Sequence, residues 1–212
     1  MVLNKPAGLP VQGGEGIKSS LDSILSQKFM PRPLLVHRLD RDTSGVILVA
    51  KTKEAARNFS ALFANSGKIK KLYLGICSGA IEPAEGTINL SLDMRGKGRG
   101  RITIESETNY KLLSGGNLGE TACSLLELKL GTGRMHQIRR HLALIGHPLL
   151  GDDKYGDFAL NKNLKAQSGL KSLCLHASRL VIPPLPGLLP DGLDITAPLP
   201  EALCRFLELL EP

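Results

Sequence analysis

The stretch His37-Arg38-Leu39-Asp40-Arg41-Asp42-Thr43-Ser44-Gly45 constrains this chain most. It is a polar island set between two apolar runs, Leu34-Leu35-Val36 and Val46-Ile47-Leu48-Val49. Both runs must be largely buried, so the island is drawn to the edge of a core. Carboxylates held there need partners, because an uncompensated buried charge is expensive. A salt-bridged surface turn is one reading. A functional site is the other, since charged groups gathered at a core edge are candidates for chemistry.

The rest of the chain reads as many strands and few helices. Met1 to Asn4 enters a turn at Lys5-Pro6-Ala7-Gly8, and Val46 to Ala50 is a continuous buried strand. Lys70 to Ser78 alternates, which puts Leu72, Leu74 and Ile76 on the core face and Tyr73 on the other. Further strands are predicted at Ile102–Ile104, Asn109–Leu113, Thr121–Leu130 and Leu173–Ile182. Helical spacing appears at Ser20–Phe29, after the cap residue Thr52 up to Asn65-Ser66-Gly67, at Met135–Ile145 and at Pro200–Leu210. In the third helix Met135, Ile138, Leu142 and Ile145 form the apolar stripe, with His136, Arg139 and Arg140 off it. Strands and helices do not alternate as βαβ units, so the expected class is α+β. At 212 residues, one domain spanning 1–212 is expected.

The 27 Lys and Arg against 20 Asp and Glu give a net charge of +7, which suits a polyanion but also simple solubility. Aromatics are scarce, at 4%, which argues against a surface that grips single strands by stacking. Cys77, Cys123, Cys174 and Cys204 are far apart and read as buried free thiols in a reducing compartment. With no signal segment and no long apolar run, a cytoplasmic protein that makes no membrane contact is expected.

Gly131 to Leu142 is a second cluster, dense in Arg and His. It reads as a basic helix face, or as an Arg supplied from a rigid helix to a carboxylate or phosphate. His136 and His141 are five apart with no Glu between them, which does not fit the His-Glu-x-x-His zinc spacing. Lys70-Lys71-Leu72-Tyr73, taken alone, reads as a strand with protective edge lysines. Arg95 to Arg101 alternates basic residues with glycine, the composition of a mobile loop.

Taken together these segments resemble the RluA-type pseudouridine synthases, in the RluC-like branch. The matching pieces span nearly the whole chain: Asn4 to Gly8, His37 to Gly45, Val49-Ala50-Lys51, Lys71 to Leu74, Gly133 to Leu142, Gly146-His147-Pro148, Gly151 to Gly156, Leu175-His176-Ala177 and Ala197 to Pro200. The resemblance implies a mixed, mainly antiparallel central sheet with flanking helices and a long cleft. It implies neither cofactor nor metal. It places the catalytic aspartate on Asp40, the active-site tyrosine on Tyr73 and the arginine that pairs with the catalytic carboxylate on Arg139. Met135 stands where the family has Thr, and Arg140 where a small apolar residue is common. An S4-like N-terminal domain, carried by many members, is not expected within 1–212.

The implied reaction breaks the N1–C1′ bond of a uridine, turns the uracil and rejoins it through C5. The atoms are conserved, so no redox agent is required. An ionised carboxylate in a closed site needs a fixed cation, and the planar fork of Arg suits that task. Whether Asp40 attacks the ring, attacks the sugar carbon or removes a sugar proton is left open, as is Tyr73 acting as base or as stacking partner. The target base must be flipped out of the RNA, at a cost of about a few kcal/mol. Arg38 is the candidate for the vacated space or a flanking phosphate. The other expected RNA contacts are His37, Arg41, Lys70, Lys71, Arg99, Arg101, Arg134, His136 and Arg140, with Lys68 beside them. The expected partner is RNA, ribosomal ahead of transfer RNA, bound by a monomer. The competing classes are a non-catalytic RNA-binding protein of the same fold and a basic structural protein of the ribosome.

Overall fold

The computed structural model describes residues 1–64, 68–95 and 100–211. In chain order its elements are β1 (Val2–Lys5), α1 (Leu21–Lys28), β2 (Leu34–Leu35), β3 (Ser44–Ala50), α2 (Lys53–Ala64), β4 (Lys70–Ser78), β5 (Glu85–Asn89) and β6 (Leu92–Arg95). They continue with β7 (Arg101–Ile104), β8 (Glu107–Leu118), β9 (Thr121–Leu130), α3 (Gln137–Leu144), α4 (Phe158–Ser168), β10 (Leu175–Ile182), β11 (Leu193–Thr196) and α5 (Glu201–Glu208). The class is α+β with mainly antiparallel pairing, as expected from the sequence. No helix among the described residues is long and apolar enough to cross a membrane.

The chain divides into two compact units, Met1–Lys71 with Leu175–Glu201, and Leu72–Cys174 with Ala202–Pro212. In the first, β3 is buried along its whole length, as the run Val46–Ala50 predicts. β1 and β2 pair with it antiparallel, and β10 runs parallel to it through His176↔Ser44 and Ala177↔Gly45. α2 lays Ala55, Phe59 and Leu62 into a core with Val36, Val46, Leu48, Leu180 and Ile182. Thr52 caps this helix, its Oγ1 accepting the Ala55 N–H at 3.1 Å. The expected terminator Asn65-Ser66-Gly67 lies outside the described residues. α1 begins at a reciprocal cap in which Ser20 and Ser23 each accept the other's backbone N–H.

In the second unit β9 pairs with β4 on one side and β8 on the other, and β5 pairs with β8. β6 and β7 form a separate hairpin. The alternation of β4 departs from the expected one. Tyr73, Gly75, Ile76 and Cys77 are buried, whereas Leu72 and Leu74 are only partly so. Burial of both Ile76 and Cys77 shows a strand covered on both faces there, where a period of two carries no face information. The apolar stripe of the third helix also needs correction. α3 starts at Gln137, Met135 precedes it and is 56% exposed, and the polar residues Gln137, Arg139 and His141 are buried beside Ile138 and Leu142. Cys77, Cys123 and Cys174 are buried free thiols, and Cys204 is half-buried.

Candidate active site

Asp40 sits in the loop between β2 and β3, in the first unit. Val36 and Leu39 anchor that loop in the core, Arg38 points to solvent and Asp40 is half-buried. At its far end Ser44 Oγ lies 2.9 Å from His176 Nδ1 on β10, and His176 Nε2 lies 3.3 Å from the Ala197 carbonyl. Gly45 follows with φ 113°, and a Cβ there would overlap the backbone carbonyl of Ala177. Only glycine permits this approach of two strands, so Gly45 fixes where the loop ends. Thr43 is also buried, and its hydroxyl has no hydrogen-bond partner among the described residues.

A residue whose role sequence reasoning missed holds the loop from below. Lys5 is 1% exposed, and its ammonium donates to the carbonyls of Pro6 at 2.9 Å, Leu9 at 2.8 Å and Arg41 at 2.8 Å. Three acceptors match the three protons of an ammonium. Burial lowers the Lys5 pKa to about 8, against the opposing pull of the Asp42 and Asp40 charges. Arg41 in turn is turned back on its neighbour, its Nε 3.0 Å from Asp42 Oδ1 and its Nη2 3.1 Å from Oδ2. The available signal was the Asn4–Gly8 motif, which placed a lysine at the end of a strand without saying where it points.

His37, expected at the RNA surface, has a place in the core edge. Its Nε2 accepts the Leu48 N–H at 2.8 Å, and its ring stacks on Phe63 at 4.2 Å. Burial, with the Lys71 charge adding to it, lowers the His37 pKa to about 3, so the ring is neutral at pH 7. Lys71 is half-buried, and burial lowers its pKa as well, whereas Lys70 is exposed.

Tyr73 and Arg139 belong to the second unit. Tyr73 is 9% exposed on β4, opposite Leu128 of β9. Arg139 is 4% exposed on α3 and engages Asp152 in a two-point fork, Nε to Oδ2 at 2.8 Å and Nη2 to Oδ1 at 2.7 Å. Its Nη2 also reaches Asp153 Oδ1 at 3.3 Å. Burial works to raise the Asp152 carboxyl, but the hydrogen bonds from Arg139 and from the Tyr155 and Lys154 backbone outweigh it and hold the group below the ordinary carboxylate range.

A polar network seats α3. Gln137 Oε1 accepts from Thr132 Oγ1 at 2.7 Å and from the Arg134 N–H at 3.0 Å, while its Nε2 donates to the Glu107 carbonyl and to Thr108 Oγ1. His141 is fully buried between Thr108 Oγ1 at 2.9 Å and the Leu90 carbonyl at 3.0 Å. The carbonyl can only accept, so Nε2 carries the proton and Nδ1 accepts from the threonine hydroxyl. Arg140 Nη1 donates to the Asp93 carbonyl at 3.0 Å and so braces β6. Arg134 is half-buried with an Nε that has no partner among the described residues. His136, the residue before α3, has φ 52°, and its Nδ1 lies 3.1 Å from the Tyr155 hydroxyl. Arg99 and the side chain of Arg101 lie outside the described residues. Among those described, no group of three or more His, Cys, Asp or Glu is placed to hold a metal ion.

Residues 1–144 match the family model described as RNA pseudouridylate synthase. The chain belongs to that family, whose members are isomerases converting uridine to pseudouridine in RNA. Among curated relatives it is 36% identical to the ribosomal large subunit pseudouridine synthase C of Salmonella typhi, over 99% of this chain and 67% of that protein. The synthase of the same name from Escherichia coli K12 matches with the same identity and coverage. The ribosomal large subunit pseudouridine synthase D of Xylella fastidiosa is 35% identical over 99% of this chain and 66% of its own. Among solved structures, human RNA pseudouridylate synthase domain containing 4 superposes with a TM-score of 0.78 at 27% identity, covering 99% of this chain and 88% of that one. Human RNA pseudouridylate synthase domain containing 1 gives 0.73 at 26% identity, covering 94% and 79%.

Proposed function

We propose that this chain isomerises specific uridines of large-subunit ribosomal RNA, with residues 1–212 serving as one catalytic domain. The observation that carries the target is the 36% identity, over 99% of the chain, to proteins named for large-subunit synthase activity. Asp40 is the catalytic carboxylate, Tyr73 the active-site tyrosine and Arg139 the cation of the set. The loop geometry supports the role of Asp40, because Lys5 and Gly45 fix the backbone on either side of it. The substrate uridine is flipped out of the RNA, and Arg38, the exposed cation two residues before Asp40, faces the space left behind or a neighbouring phosphate. Arg41, Lys70, Lys71, Arg134, His136 and Arg140 contribute along the RNA path together with Arg99 and Arg101, while His37 acts from the core edge by holding the loop through the Leu48 N–H. The enzyme works as a monomer in the cytoplasm and needs no cofactor.

The test is release of tritium from RNA labelled at uridine C5, since joining the base through C5 expels that hydrogen. Release from ribosomal RNA, and none from transfer RNA, is the expected result. Release from transfer RNA alone overturns the target, and release from neither overturns the reaction.

A further inference from the structure

We propose that Asp152, together with the ring of Tyr155, is the positioning device of Arg139; this rests on the reading of Arg139 as a member of the catalytic set. A guanidinium must be fixed in place, direction and plane before it can stabilise charge in one geometry. The fork from Asp152 to Nε and Nη2 sets place and direction. The Tyr155 ring, its centroid 5.3 Å from the guanidinium carbon, limits tilting of the plane.

The holder is itself held. Asp152 is 0% exposed, and its Oδ1 accepts the backbone N–H groups of Lys154 and Tyr155, each at 2.9 Å. Its carbonyl accepts from Asn161 Nδ2 at 2.9 Å, and Asn161 Oδ1 accepts the Gly151 N–H at 2.9 Å. At Gly151, φ is +71° and a Cβ would overlap the Ser172 carbonyl; at Gly156 it would overlap the carbonyl of Asp152. Tyr155 is fixed at its far end by His136 Nδ1, and the Lys154 ammonium lies 5.4 Å from its ring centroid. His136 is the one non-glycine residue at positive φ among those described, a conformation that costs about 1–2 kcal/mol and persists only where its surroundings demand it.

Stability alone is a poor reason for this arrangement. A buried ion pair contributes little beyond well-packed apolar residues of the same size. Asp153, whose side chain is 67% exposed, cannot substitute, since it reaches Arg139 with one oxygen at 3.3 Å. The turn Gly151–Gly156 therefore serves to aim one arginine.

The experiment compares Asp152→Asn in the unsubstituted protein and in Arg139→Lys, using tritium release from ribosomal RNA. Asparagine keeps the shape but turns a donor or a neutral oxygen toward the fork. The expected loss is about 10²-fold in kcat with KM within threefold, the penalty of a misplaced group. In Arg139→Lys no fork remains to be aligned, and the same substitution is expected to cost less than threefold. Full kcat in Asp152→Asn, or an equal loss in both backgrounds, overturns the inference and leaves Asp152 a structural residue. Should Asp152→Asn not fold, as melting would show, Tyr155→Leu carries the same comparison, with a loss of about tenfold expected only where Arg139 is present. Absence of turnover by the unsubstituted protein overturns the functional reading first; turnover by it with the variants unaffected overturns the inference alone.

Discussion

The Lys5 ammonium reaches 36 residues along the chain to donate to the carbonyl of Arg41 at 2.8 Å, and so ties the first strand to the residue after Asp40. Removing it takes the donor from three partly buried carbonyls, each costing up to about 1–3 kcal/mol, partly offset by relief of a buried charge. Lys5→Met is therefore expected to lose about 2–4 kcal/mol, read as a lower denaturant midpoint at unchanged slope. An unchanged midpoint would show that the loop does not need this tie.

Gly45 closes the same loop. Gly45→Ala forces a methyl group against the Ala177 backbone at a φ of 113°, so two neighbouring strands must separate. Overpacking and positive φ together cost about 2–5 kcal/mol. Thermal unfolding should shift down accordingly, and the variant should lose activity even at temperatures where it stays folded.

Thr43 offers the opposite sign. Its buried hydroxyl has no partner among the described residues, and valine has the same shape without the polar atom. Thr43→Val is expected to raise stability by about 1 kcal/mol. A fall in the melting temperature would reveal a hydrogen-bonding partner for the hydroxyl.

His37 makes stability depend on acid. Burial, and then Lys71, depress its folded pKa to about 3 from an ordinary value of 6.5, so the unfolded chain binds a proton that the folded one refuses. Its contribution is present above pH 6.5 and is lost as pH falls toward 3. Melting temperatures measured from pH 7.5 to 4.5 should decline less steeply in His37→Gln than in the unsubstituted protein. Parallel curves would contradict the depressed pKa.

Much of this was legible in the sequence where burial is one-sided or complete. β9 and β4 have their predicted bounds, and Thr52 caps its helix as expected. α4 was not legible, because only Leu164 of its eleven residues is buried and no apolar stripe forms. Its signals were the cap at Asp157, which accepts the Leu160 N–H, and the terminator Gly169 at φ 70°. β2, of two residues, falls below what periodicity can resolve, and β5 carries only one buried side chain, Ile88. Met135 was placed in the wrong environment because α3 buries polar side chains, which a hydrophobic stripe cannot report. For the same reason Asp152 and Tyr155 were visible as part of a motif but not as the seat of Arg139.

The central claim is that Asp40 carries the reaction. Asp40→Asn keeps the size of the side chain and removes its charge, leaving the Lys5 contacts to the Pro6, Leu9 and Arg41 backbone in place. The decisive measurement is tritium release from C5-labelled ribosomal RNA by this variant at saturating enzyme, alongside its melting temperature and its affinity for the same RNA. A folded variant that binds RNA and releases no tritium is the predicted result. Release at the rate of the unsubstituted protein would contradict the account.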